Sequence, residues 1–405
     1  MANLKLMQQL SVDTPSKIVF FIIDGLGGLP GPEGLSELEM ANTPNLDRLA
    51  SESVCGLIQH VAPGITPGSG PGHLALFGYD PMEFDIGRGI LEAMGLDMEI
   101  MGGDLAARGN LCTVDDNNIL LSRRGGRNPG DRLPTEENAA LLELLKEIEL
   151  PGASFEIKGG KEHRFAVVFR APGLADNLTD TDPQHEGLAP RLVSALDEES
   201  KPSAELVNEF IALAREKLKG REYANMIMLR GFSKQPPIPA FGEVYNLRAA
   251  AIAVYPMYRG LAKLLGMGVV STGTTSGDTI TTLEQHYNNH NFFFLHFKRA
   301  DAAGEDGDFA AKVDALEEAD SLIPSLMELD PDVLVVTGDH STPAILAAHS
   351  WHPVPVAMRA KWLRPDDVCE FSEKACKDGS LGRFQATDLM PLAMAHALKL
   401  AKYGA

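Results

Sequence analysis

Three short apolar stretches of this chain run into acidic residues, and a divalent cation is the simplest common partner for such acids once they meet. Ile18–Ile23 leads to Asp24, the run 291–298 is followed by Asp301, and 333–337 ends on Gly338-Asp339-His340. Runs of this length, rich in β-branched and aromatic residues, predict strands buried on both faces of a parallel sheet. In open sheets of that kind the carboxyl ends of the strands share one edge, where ligands bind. Asp24, Asp301, Asp339 and His340 are therefore expected to meet, although the first and last lie more than 300 positions apart. His349, nine positions past His340, is a further candidate ligand, and His352 is read as incidental. Asp301 and Glu305 are four apart, close enough to share one cation on a helical turn. Oxygen-rich ligation of this sort suits magnesium or manganese better than a thiolate zinc site does.

The nucleophile to accompany such a centre is found in Thr66-Pro67-Gly68-Ser69-Gly70-Pro71-Gly72-His73. A serine hydroxyl is weak at neutral pH, but metal coordination activates it. Ser69 is expected at the start of a helix that is under way by 73–77. There the unpaired amides and the dipole favour an alkoxide or a phosphate. The competing reading is a plain turn in which Ser69 caps that helix. Taken together, these residues look like a metal-dependent site for phosphoryl transfer.

The elements that must position them follow from periodicity and punctuation. Strands are expected at 17–24, 164–170, 226–229, 292–297 and 332–337. Helices are expected at 43–52 (Thr43 as cap, Pro44 in the first turn), 135–149, 204–219, 258–265, 308–327 and 388–400. The acidic residues draw on both ends of the chain and skip its middle. The expectation is thus an α/β catalytic domain over 1–87 and 250–405, interrupted by a smaller inserted domain over 88–249. A chain of 405 residues is too long for one ordinary hydrophobic core, which also argues for two.

Composition narrows the class. The chain is 44% hydrophobic and 23% charged, as a soluble globular protein is, and its net charge of −20 opposes polyphosphate partners. No Lys/Arg block marks a nucleic-acid footprint, and no run approaches the roughly 20 apolar residues that span a bilayer. Cys55, Cys112, Cys369 and Cys376 form no CxxC pair, and no secretory leader is evident, so a cytoplasmic protein is expected. Against this acidic background, Arg88, Arg108, Arg164 and Arg259, with His163 beside Arg164, are candidates for holding an anionic substrate.

The motifs resemble those of the cofactor-independent phosphoglycerate mutases, specifically the archaeal-type branch, within the alkaline phosphatase superfamily. The pieces are Ile23-Asp24-Gly25, Thr43-Pro44-Asn45-Leu46-Asp47, the Ser69 loop, Leu76-Phe77-Gly78-Tyr79-Asp80-Pro81, Gly338-Asp339-His340 and His349 with Pro353-Val354-Pro355. The resemblance spans essentially the whole chain. It implies an alkaline-phosphatase-like doubly wound sheet with an inserted α+β domain. It implies two divalent cations, manganese or magnesium, and a transiently phosphorylated serine, with no need for 2,3-bisphosphoglycerate. By that analogy Asp24, Ser69, Asp339 and His340 hold one metal, while Asp301, Glu305 and His349 hold the other. The chain departs from the family pattern at Glu305, where a histidine is usual. Arg108, His163 and Arg164 carry over as substrate contacts in the insert.

The resemblance implies conversion of 3-phosphoglycerate to 2-phosphoglycerate, a small phosphorylated metabolite, with the insert retaining glycerate and excluding water. The nearest competitor is another phosphotransferase or phosphohydrolase on this scaffold, phosphopentomutase-like or homoserine kinase-like. A non-catalytic metal-binding protein, its site decayed at Glu305, is a third reading.

Overall fold

The computed structural model describes residues 3–31, 33–84 and 86–404. The chain divides into two compact units. One comprises Met1–Asp85, Ile238–Val254 and Leu265–Ala405; the other comprises Ile86–Pro237 and Tyr255–Leu264.

In the first unit the described residues form an eight-stranded sheet. Its order is Gly382–Gln385, Val54–Gln59, Val354–Ala360, Val333–Thr337, Ile18–Ile23, Phe292–Phe297, Ala249–Ile252 and Gly268–Val269. Ile18–Ile23 is parallel to both its neighbours, and all three central strands are buried along their whole length. That double burial is why their sequences are unbroken apolar runs instead of alternating ones. Register does the positioning: Ile23 lies opposite Phe297, and Ile22 opposite Thr337. Asp24, Lys298 and Gly338-Asp339 thus leave the sheet together at one edge. Val354–Ala360 breaks the parallel pattern, running antiparallel to both strands beside it.

Thr43 and Pro44 stand where expected, at the cap and the first turn of a helix. Pro44–Ser51 receives no cap bond from the Thr43 side chain. Asp320, on the helix Phe309–Glu328, reaches across to accept from the backbone N–H groups of Asn45 and Leu46, at 2.9 and 2.7 Å. A tertiary carboxylate has replaced the local hydroxyl. Asp308 caps its own helix, accepting from Ala311 N–H at 2.9 Å.

The second unit is antiparallel. Leu105–Val114 lies between Arg164–Arg170 and Met226–Ser233, with Ser154–Gly159 beyond Arg164–Arg170. The helices Thr135–Lys146 and Lys201–Lys217 bury Leu141, Leu142, Leu145, Val207 and Phe210 in its core. The expected domain limits at 88–249 need correction. Residues 238–249 belong to the first unit, and Ala249–Ile252 pairs with Phe292–Phe297. The helix Pro256–Leu264 belongs to the second unit, where Gly260 packs on the helix Arg88–Gly95. A Cβ on Gly260 would stand 2.0 Å from the Leu91 carbonyl oxygen, so that contact requires glycine.

Candidate active site

Each candidate side chain of the first unit stands at the end of an element just described. Asp24 follows its strand directly, and Gly25 turns the chain there with φ +69°. A Cβ on Gly25 would come within 2.7 Å of Asp301 Cα and Thr342 Oγ1, so glycine lets three segments converge. Ser69 is the first residue of the helix Ser69–Leu76 and gives it no cap bond. That helix presses on Asp339 through Gly72, whose absent Cβ would lie 2.2 Å from the Asp339 carbonyl oxygen. Asp301 and Glu305 both fall on the short helix Arg299–Glu305.

Two groups of ligand-type atoms result, each within a 4.8 Å sphere of mutual distances: Asp24, Asp339 and His340, and Asp301, His340 and His349. His340 belongs to both. Its Nε2 lies 3.3 Å from Asp24 Oδ1, 3.1 Å from Asp339 Oδ2 and 3.1 Å from Ser69 Oγ. Its ring stacks on that of His349 with centroids 3.6 Å apart. His349 Nδ1–H donates to the Pro67 carbonyl at 3.0 Å, which turns Nε2 toward Asp301 Oδ1 at 3.4 Å. Glu305 Oε1 is 3.5 Å from the same nitrogen, but Glu305 lies outside both groups. His352 belongs to neither and meets Ser350 Oγ at 3.0 Å.

Three further residues were not singled out from the sequence. His73 Nδ1 stands 3.2 Å from Asp339 Oδ2, and His296 Nε2–H donates to Asp24 Oδ2 at 3.0 Å. The Lys298 ammonium bridges Asp24 and Asp301. A histidine inside the run Phe292–Phe297, and a lysine ending it, were the available signals: polar groups in a buried strand need partners.

The electrostatics of this edge call for positive charge. Asp24, Asp301 and Asp339 are completely buried, with one ammonium among them. Burial opposes protonation of His349, yet Asp301 and Glu305 hold it up at about 10. Burial pushes the Asp301 carboxyl up, but His349, Lys298 and His340 together hold it well below the usual range. Buried carboxylates and imidazoles in this ratio fit divalent cations, which neutralise what side chains alone leave unbalanced.

The second unit gathers arginines. Arg108 and Arg230 face each other across paired strands, and Arg164 sits opposite Asn110 on the other side of Leu105–Val114. The Nε atoms of Arg108, Arg164 and Arg230, and His163 Nδ1, are buried without a hydrogen-bond partner. Burial, then the arginines around it, pushes His163 down to about 3; burial, opposed by Glu92, pushes Arg108 down to about 10. Arg259 stands apart from this set, paired with Asp97 at 3.6 Å. Arg230 went unremarked in the sequence because nothing local marks it.

The chain is 50% identical over 403 residues to a Thermosipho africanus protein named "Probable 2,3-bisphosphoglycerate-independent phosphoglycerate mutase", covering 99% of each. A Thermus thermophilus protein of the same name is 49% identical, covering 98% of each. A family model described as 2,3-bisphosphoglycerate-independent phosphoglycerate mutase matches residues 50–224. The chain belongs to this family. Among solved structures, the cofactor-independent phosphoglycerate mutase from Thermoplasma acidophilum matches with a TM-score of 0.71 and 30% identity, over 94% of this chain and 100% of that one. A Pyrococcus horikoshii protein matches at 0.83 and 29%, over 97% and 100%. Membership in the phosphoglycerate mutase family makes a small phosphorylated metabolite the substrate. Among the described residues no helix is long and apolar enough to cross a membrane.

Proposed function

We propose that this protein interconverts 3-phosphoglycerate and 2-phosphoglycerate through a phosphate carried transiently on Ser69 Oγ. The observation that supports this best is the 3.1 Å approach of Ser69 Oγ to His340 Nε2, at the start of a helix and beside Asp24 and Asp339. Asp24, Ser69, Asp339 and His340 would hold one divalent cation, and Asp301 and His349 the other, with Glu305 at its outer side; manganese and magnesium suit these donors. Such cations lower the pKa of a bound hydroxyl and neutralise charge on the transferring phosphoryl group.

The chain's own residues do the rest. Ser69 Oγ attacks phosphorus as the bond to the substrate O3 breaks, and the departing oxygen takes up the proton that the serine lost. The helix start favours the phosphate anion on Ser69. Arg108, Arg164 and Arg230, gathered on neighbouring strands of the second unit, are the candidate contacts for the substrate's carboxylate. The O2 hydroxyl then attacks the phosphoserine and restores Ser69. The phosphate on Ser69 comes from the substrate and returns to the same glycerate, so no 2,3-bisphosphoglycerate is needed to supply it. The four cysteines are free thiols, which fits a reducing, cytoplasmic setting.

The test is incubation of Mn2+-loaded protein with 3-phosphoglycerate, read by enolase coupling and by a mass search for phosphate on Ser69. Ribose phosphates, and homoserine with ATP, serve as competing substrates. Turnover of 3-phosphoglycerate that vanishes in Ser69→Ala supports the reading. Near-full turnover in Ser69→Ala, or preference for another ester, overturns it.

A further inference from the structure

His340 is the residue that both ligand groups claim, and its two nitrogens are not equivalent. Nδ1 lies 2.9 Å from Thr342 Oγ1, and the Thr342 hydroxyl donates to Asp301 Oδ1 at 2.7 Å. Asp301 also receives the Lys298 ammonium, so it is an ionised carboxylate with no proton to give. A threonine hydroxyl has a single proton, and it is spent on Asp301. The 2.9 Å contact with His340 must then be Nδ1–H donating to Oγ1. Nδ1 keeps its proton, and Nε2 is the nitrogen that can offer a lone pair to the side holding Asp24, Asp339 and Ser69.

Thr342 is itself held with little latitude. Its backbone N–H donates to the Gly27 carbonyl at 3.0 Å. The buried Lys312 ammonium donates to both the Gly27 and Thr342 carbonyls, at 2.9 and 2.8 Å. Gly25 and Gly304 clear the space around it: a Cβ on Gly304 would meet the Thr342 carbonyl oxygen at 2.2 Å, as one on Gly25 would meet Oγ1.

We propose that Thr342 is a positioning residue whose hydroxyl fixes the tautomer of His340 and ties that choice to the orientation of Asp301, so that both ligand groups are set together. This rests on the reading of His340 as a metal ligand, and the experiment separates the two. Mn2+ alone is titrated into metal-stripped full-length protein, as wild type, Thr342→Val, Thr342→Ser and His340→Ala. Partners of ligating histidines typically contribute about 10–100-fold in metal affinity, so Thr342→Val should weaken Mn2+ binding by about that factor, with Thr342→Ser within about threefold of wild type. With 3-phosphoglycerate, the valine variant should lose kcat while KM changes little. Should the valine protein not fold, Thr342→Ala removes the same hydroxyl and is read the same way. Wild-type Mn2+ affinity in the hydroxyl-free variant, or a serine variant as weak as valine, overturns the proposal. Unchanged Mn2+ affinity in His340→Ala overturns the ligand reading beneath it.

Discussion

Glu305 Oε1 stands 3.5 Å from His349 Nε2 while 54% of its side chain remains exposed; Asp301, one helical turn earlier, is wholly buried. Two carboxylates on one short helix therefore face the same imidazole from very different dielectric surroundings. An exposed carboxylate keeps most of its hydration and contributes less to a bound cation than a buried one. Glu305→Ala should therefore weaken Mn2+ binding clearly less than His349→Ala, which removes a donor from the buried set. Glu305→His, which offers a softer nitrogen donor, should raise the preference for zinc or cobalt over magnesium. Competition binding with these ions checks both. Equal losses from Glu305→Ala and His349→Ala would show that exposure misjudges its part.

Arg108 and Arg230 are directly opposed on neighbouring strands, and like charges so placed cost stability. Asp182, 3.6 Å from Arg230, is already engaged by Arg123 at 2.6 and 3.1 Å, so it does not depend on Arg230. Arg230→Met should then leave the ligand-free protein as stable as wild type or more so, by up to about 1 kcal/mol. The same change should raise KM for 3-phosphoglycerate by about tenfold or more, since one charge-assisted contact is lost. Thermal melts with and without phosphoglycerate, together with initial rates, measure the two effects. A destabilised variant with unchanged KM would make Arg230 a structural residue.

How much of this could be read from the sequence depended on whether the determining contact was local. The strands Ile18–Ile23, Phe292–Phe297 and Val333–Thr337 were legible because burial on both faces writes itself into every position. Their shared edge followed from topology, and the structure does bring Asp24, Asp301, Asp339, His340, His349 and Ser69 together. Arg230 was not legible: its alignment with Arg108 arises from a pairing between distant strands, and a lone arginine in a strand has no periodic signature. Thr43 and Pro44 stand where the sequence puts them at the start of Pro44–Ser51, but the carboxylate that bonds its first amides, Asp320, lies over 270 positions away and could not be read locally. The placement of Pro256–Leu264 turned on the contact of Gly260 with Leu91, which an amphipathic pattern cannot reveal.

His163 gives the protein an acid-sensitive component in its second unit. Burial, followed by the fields of Arg164, Arg108, Arg124 and Arg132, lowers its pKa from 6.5 to about 3. Between those values the unfolded chain binds a proton at this residue and the folded chain does not. Stability from this group is therefore complete above pH 6.5 and is lost progressively as pH falls toward 3. His163→Gln removes that slope. Melting temperatures at pH 7.5 and 4.5 should fall further for wild type than for His163→Gln, and equal falls would mean that His163 titrates normally.

Lys312 offers a stability test in the first unit. Its side chain is fully buried, donates to the Gly27 and Thr342 carbonyls, and lies 4.0 Å from Glu37 Oε1. Glu37 in turn accepts from the backbone N–H of Ala344 at 2.6 Å and of Leu29 at 3.3 Å. Glu373 accepts from Gly28 N–H and the Ser36 hydroxyl, both at 2.7 Å. Removing only the cation leaves buried carboxylates uncompensated, which typically costs about 3–5 kcal/mol. Lys312→Met should therefore shift the urea transition of the first unit strongly downward. Adding Glu37→Gln removes the stranded charge and should recover part of the loss, even though neither substitution restores the bonds to Gly27 and Thr342. If the double variant is no more stable than Lys312→Met, the ammonium acts through those two carbonyls, and its charge is secondary.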